Sequence, residues 1–186
     1  MTVEPLPRGE RDARSLPPRL RKLVLTLHVT LSVGWLGAVA TFLALAISGL
    51  VAADPRLVRA DYLAMDLIGG YVIVPLSFGA LIVGLVQSLG TEWGLFRHYW
   101  VLVKFVLTVV ATAVLMLHMQ LVSYLASVAA ERSLAGGDLR DLRIQLVGDA
   151  GAALIVLLVA TVLSVYKPRG MTRRGRRAPR ARRGER

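Results

Sequence analysis

Four long apolar runs constrain this chain more than anything else in it. Residues 23–53, 62–89, 99–130 and 144–166 each meet or approach the roughly 20 residues that an α-helix needs to cross bilayer hydrocarbon. The first run, 23–53, holds no formally charged residue, and the others hold only isolated ionisable groups. A chain that is 55% hydrophobic, with a mean hydropathy of +0.58, is too apolar for an ordinary soluble domain. The expected fold is all-α, a four-transmembrane-helix antiparallel bundle. A basic, proline-containing segment over 1–22 precedes it, and a polybasic tail over 167–186, expected to be disordered, follows.

A cleaved signal peptide is the competing reading of the first run, and "LVAAD" at its end is loosely compatible with a cleavage site. The run far exceeds the 7–15 residues of a signal-peptide core, so a retained helix is expected. Lysine and arginine set the expected orientation. Arg8, Arg11, Arg14, Arg19, Arg21 and Lys22 precede the first span, and ten basic residues follow from Lys167 onward. The loops over 54–61 and 131–143 hold fewer, offset by acidic neighbours. An even number of spans then puts both termini in the cytoplasm, in a multi-pass protein of the inner (plasma) membrane. The tail carries much of the net charge of +11 and suits anionic lipid headgroups. It lacks the interleaved aromatics that stack on bases, so nucleic acid is not expected as a partner. A homo-oligomer stays open.

Several chemistries are excluded at once. Without cysteine there is no disulfide, no thiolate metal site and no covalent haem attachment. No nucleophile triad, phosphate-binding loop, dinucleotide fingerprint or HExxH pattern occurs. Packing faces are legible from small residues: Gly34, Gly37, Ala38 and Thr41 in span one, and Gly69, Gly70, Gly79 and Gly84 in span two. Pro75 should kink span two by freeing the Tyr71 carbonyl.

The ionisable residues inside the spans carry the functional argument, because a charge at membrane depth is costly and usually marks function. Lys104, Thr108, Ala111, Leu115 and His118 form one stripe on span three. Lys104 and His118 share that face but lie about 21 Å apart along the axis, so they belong to different depths. At one depth, His28, Ser32 and Trp35 share a face of span one, and His28 and Lys104 are expected to meet or flank a ligand. The chain has 20 arginines against three lysines, yet the intramembrane position takes a lysine, which unlike arginine can release a proton and offer a lone pair. The alternative is a lysine snorkelling to headgroups. Glu92 and His98 lie nearer the interface and are expected to be solvated. At the other depth, Met65, Asp66, Met116, His118, Met119, Gln145 and Asp149 fall at one level. Methionine and histidine there suit copper(I), the carboxylates suit harder cations, and a proton-relay fragment is equally open. The plainer alternative pairs His118 with one aspartate and leaves the methionines to packing.

"LHVTLSVGWLGA" has the form H-x6-W-x-G, and "YWVLVKFVLTVV" sets a lysine early in a later span. Together these resemble a superfamily of small helical membrane proteins that includes the copper-resistance protein D domain and the membrane-bound, haem-containing protoporphyrinogen oxidases. The likeness is closest to an uncharacterised branch of integral membrane proteins in that superfamily. "GWLGA" looks more like the copper-resistance type, and the oxidases' further aromatic and basic residues after span one are not evident. The resemblance implies a haem b site with His28 as ligand and Lys104 as second ligand, propionate partner or catalytic residue. Trp35 would lie beside the cofactor, and Gly34, Gly37 and Gly84 would leave room for the macrocycle. Electron transfer or oxidation of a porphyrinogen-type substrate would follow. Two other functions stay open beside it. One is copper or cation handling through Met65, Asp66, Met116, His118, Met119 and Asp149, with His28 a metal ligand only in the haem reading. The other is a non-catalytic membrane subunit whose polar groups specify packing.

Overall fold

The computed structural model describes residues 17–89, 99–131 and 139–166. The N-terminal basic residues up to Arg14, the turn containing Glu92 and His98, and the polybasic tail lie outside the described residues. Within them the chain is helical: α1 spans Pro18–Val51, α2 Pro55–Ile68, α3 Val74–Leu89, α4 Tyr99–Glu131 and α5 Arg140–Tyr166. A π-helical turn, Gly69–Ile73, joins α2 to α3, so that Pro55–Leu89 is one continuous span. Among the described residues four helices are long and apolar enough to cross a membrane, and the protein is a multi-pass membrane protein built as an all-α bundle. The 27 residues of α5, the shortest span, reach about 40 Å, more than the hydrocarbon thickness.

Three boundaries differ from those expected from the sequence, for one physical reason: the helices run past the apolar run into polar flanks. α1 begins at Pro18, its first turn using proline where a missing N–H is harmless. The loop expected over 54–61 shrinks to Ala52–Asp54. Asp54 caps α2 by accepting from the Arg56 backbone N–H at 2.9 Å, and Pro55 opens the helix. α5 begins at Arg140, four residues before the apolar run. The irregularity expected at Pro75 takes the form of the π turn just before it. There the Val74 N–H reaches back five residues to the Gly69 carbonyl.

α1 packs against α5, α3 and α2, whereas α4 packs against α2, α3 and α5. α1 and α4 therefore face each other across one diagonal, and α5 faces the α2–α3 span across the other. The core follows the helical repeat: Trp35, Val39, Phe42 and Ala46 from α1, Tyr62 and Met65 from α2, Val122 and Leu125 from α4, Leu146 and Ala150 from α5. Outward faces are equally apolar, as Val51, Leu117 and Val165 illustrate, and this is the pattern of a helix bathed in lipid. Hydroxyls within the spans are silenced locally. Thr108 and Thr112 donate to the carbonyls of Lys104 and Thr108, both at 2.9 Å, and Thr161 and Ser164 do likewise within α5.

Candidate functional site

Both diagonals of the bundle are crossed by a basic side chain, at opposite ends. At the end where α1 and α4 begin, Lys104 reaches across to α1, placing its Nζ 3.2 Å from Nε2 of His28. His28 and Lys104 thus meet, as equal depth in two spans entering from the same side implies, but they meet directly. An ammonium in this position donates to Nε2 and leaves the imidazole hydrogen on Nδ1. Among the described residues that Nδ1 is buried without a partner, as is Oε1 of Gln87 on α3. The ring lies against Gly84, where a Cβ would stand 3.0 Å from its Cε1 and 3.5 Å from Nδ1.

A macrocycle finds no room in this arrangement. Lys104 takes one ring nitrogen of His28, and the α3 backbone at Gly84 closes off the other. A Cβ at Gly34 would come within 3.6 Å of Leu76, so that glycine is covered by a neighbouring side chain. Trp35, expected beside His28, lines a cavity with α4 and α5 instead. Position around one helix axis does not say which neighbouring helix a side chain meets. The residues present do not fit haem b between α1 and α4.

At the other end Arg143, at the start of α5, crosses the second diagonal. It is 4% exposed. Its Nε donates to the Tyr62 hydroxyl at 3.0 Å, and an Nη donates to the Gly49 carbonyl in the last turn of α1. A cation at a helix C-terminus is favoured by the unpaired carbonyls there. The guanidinium carbon also lies 5.9 Å from the Tyr62 ring centroid. Gly49 makes this possible: a Cβ there would stand 3.2 Å from the Tyr62 ring. Nearby, Ser48 donates to Asp61 at 2.7 Å and Ser123 to Asp66 at 2.6 Å, tying α1 to α2 and α2 to α4. Arg143 falls in the loop expected over 131–143, yet it belongs to α5. Its place in the buried series Arg143, Leu146, Ala150, Leu157 is the signal that marks it.

The copper set expected at this end is not assembled. Asp66 is turned to Ser123. Met65 is wholly buried in the core. Met119 packs on Gly69, where a Cβ would fall 2.7 Å from its sulfur. Met116, two residues from His118, points about 160° around the axis from it. Among the described residues no group of three or more His, Asp or Glu is placed to hold a metal.

His118 and Asp149 do pair. His118 Nε2 contacts Asp149 Oδ2, and His118 Nδ1 lies 2.9 Å from the Val114 carbonyl. The pair sits on the wall of a cavity of about 220 Å³ among α1, α4, α5 and the π turn. Trp35, Val39 and Phe42 line its α1 side, with Ala111, Leu115 and Met119 from α4 and Ala150, Ala153 and Leu157 from α5. Among the described residues His118 and Asp149 are its only ionisable lining groups. Val110, Val114 and Ala152 also line it and are exposed, so the cavity opens toward lipid between α4 and α5.

Fold and site define a four-span membrane protein with an apolar cavity that carries one acid–base pair. Comparison of the chain with protein families, curated proteins and solved structures gives no match. The resemblance to the copper-resistance D domain and the oxidases rests on the quoted residues alone.

Proposed function

We propose that this protein takes a small lipophilic molecule from the bilayer into the cavity between α4 and α5. The observation that carries this reading is the His118–Asp149 pair on the wall of an otherwise apolar, lipid-facing cavity. An apolar cavity with a few convergent polar groups is the usual form of a small-molecule site. Trp35 supplies a reporter. With Trp93 and Trp100 changed to Phe, bromobenzene should quench Trp35 fluorescence saturably, and Ala153→Phe, which fills the cavity, should abolish the saturable part. Quenching that stays linear and identical in both proteins would refute the reading.

A second reading, a non-catalytic membrane subunit, is favoured by the contacts of Arg143, Asp61 and Asp66, each of which links different helices. In that case substitutions in the cavity alter stability and no ligand. Haem b, with electron transfer or porphyrinogen oxidation, requires Lys104 to leave His28 and α3 to move off its ring. A Soret band in purified protein that disappears in His28→Ala would establish it over the cavity reading. The basic flanks favour cytoplasmic termini in a plasma membrane, with anionic headgroups bound at both. Inaccessibility of a cysteine introduced after residue 180 to an impermeant thiol reagent on intact cells tests that orientation.

A further inference from the structure

Resting on that reading of the cavity, we propose that its ligand is a small lipophilic monovalent cation, taken up in exchange for one proton held between His118 and Asp149. The proton count follows from hydrogen-bond partners. Nδ1 of His118 faces the Val114 carbonyl at 2.9 Å, and a carbonyl only accepts, so Nδ1 carries a hydrogen. Nε2 faces Asp149 Oδ2, where a bare lone pair against a bare carboxylate repels. One proton therefore occupies that contact. Whichever partner holds it, the pair is neutral overall, the state that apolar surroundings favour.

What the pair offers a ligand is decided by what is left over. Both nitrogens of His118 are committed, so the imidazole has no further hydrogen to give. Asp149 keeps Oδ1, an acceptor, on a side chain that is 35% exposed. The free polar function of the cavity is thus an acceptor that becomes a full negative charge once the shared proton leaves. Trp35 and Phe42 add aromatic rings, which attract cations. Among the described residues no lysine or arginine lines the cavity. An engineered cavity of about 150 Å³ takes benzene, so about 220 Å³ holds one ring with a compact cationic head.

The exchange balances. A cation enters, the proton of the Nε2–Oδ2 contact leaves to water, His118 keeps its Nδ1 hydrogen, and the Asp149 carboxylate, released from Nε2, turns to the cation as its counter-ion. The site is neutral before and after, so no net charge is left in hydrocarbon at either stage. Few other charges act on it. α2 contributes Asp66, already bonded to Ser123, and this favours a cation. α5 contributes Arg143, six residues and about 9 Å along the axis, committed to Tyr62 and Gly49, and this opposes one. α1 and the π turn contribute no charged group to the cavity, and α4 none besides His118.

The test compares benzyltrimethylammonium with neopentylbenzene, the same shape with carbon in place of the charged nitrogen, on full-length protein in detergent. Calorimetry in buffers of different ionisation enthalpy should report about one proton released per ammonium bound. Affinity for the ammonium should rise about tenfold per pH unit while the pair holds its proton, and affinity for the neutral compound should not change. Asp149→Asn, whose new amide still donates to Nε2, should abolish proton release and ammonium binding and leave neopentylbenzene bound. If both compounds bind independently of pH, the cation assignment is wrong and the cavity reading stands. If neither binds, or if Ala153→Phe leaves both unaffected, the cavity reading itself fails.

Discussion

Lys104 and Arg143 make an instructive pair, since each is a basic residue crossing the middle of one bundle and, among the described residues, neither pairs with a carboxylate. Arg143 is fully employed: a phenol, the final turn of α1 and an aromatic face all receive it, and hydroxyl–carboxylate bonds surround it. Lys104 has one partner, an imidazole whose other nitrogen is left unbonded. A planar, five-donor guanidinium can satisfy several neutral acceptors at once, whereas a compact ammonium concentrates on one. The difference assigns most of the polar cohesion to the Arg143 end. Among the described residues the Lys104 end is held by packing and a single side-chain bond between helices.

Arg143→Leu breaks this comparison most directly. It should lower stability by about 3 kcal/mol, read as earlier unfolding in a denaturing-detergent titration, because two bonds from a buried cation disappear together. Arg143→Lys should recover less than half of that loss. Next comes Gly84→Val, which presses on the His28 ring and should cost about 1–3 kcal/mol. Adding His28→Ala should relieve most of it, which distinguishes ring contact from a general intolerance of bulk at that turn. A double-mutant cycle with His28→Leu and Lys104→Met should give a coupling of about 1 kcal/mol, near the upper range for polar pairs between membrane helices. A coupling as large as the Arg143 effect would overturn the assignment of cohesion to one end. The smallest change is expected from Asp149→Asn, under about 1 kcal/mol in the same titration, since the new amide keeps a bond to His118.

The architecture was legible because apolar runs of this length admit one solution: every backbone group must be bonded within the span. Helix ends were not. Arg56, Arg59, Asp61 and Arg140 read as loop charges, yet helices longer than the hydrocarbon carry such residues in their first turns. The meeting of His28 with Lys104 was legible from matched depth in two spans that enter from the same side. Its consequence was not, because sequence spacing cannot tell a shared ligand from a direct bond. Trp35, expected beside the cofactor, turns to the cavity with α4 and α5 for a related reason. Its helical face was right, but which neighbour that face meets depends on the order of helices around the bundle. Level alone put His118 beside one aspartate, Asp66 or Asp149, without choosing between them, and the cavity beside the pair came from Ala150, Ala153 and Ala111, residues too small to announce a void.

The π turn has a consequence for how the second span is phased. Buried positions run Tyr62, Met65, Gly69, Ile73, Ser77 and Ala80, with three successive steps of four between Met65 and Ser77. On an uninterrupted α-helix those twelve residues would swing the later half about 120° away from the earlier one. The wider loop of backbone absorbs most of that swing, so both halves confront the same interior. Shortening 69–73 by one residue would act as a twist of the upper half relative to the lower, carrying Gly84 out from beneath the imidazole while Tyr62 stayed put. One span thus works as two independently set screws on a common shaft.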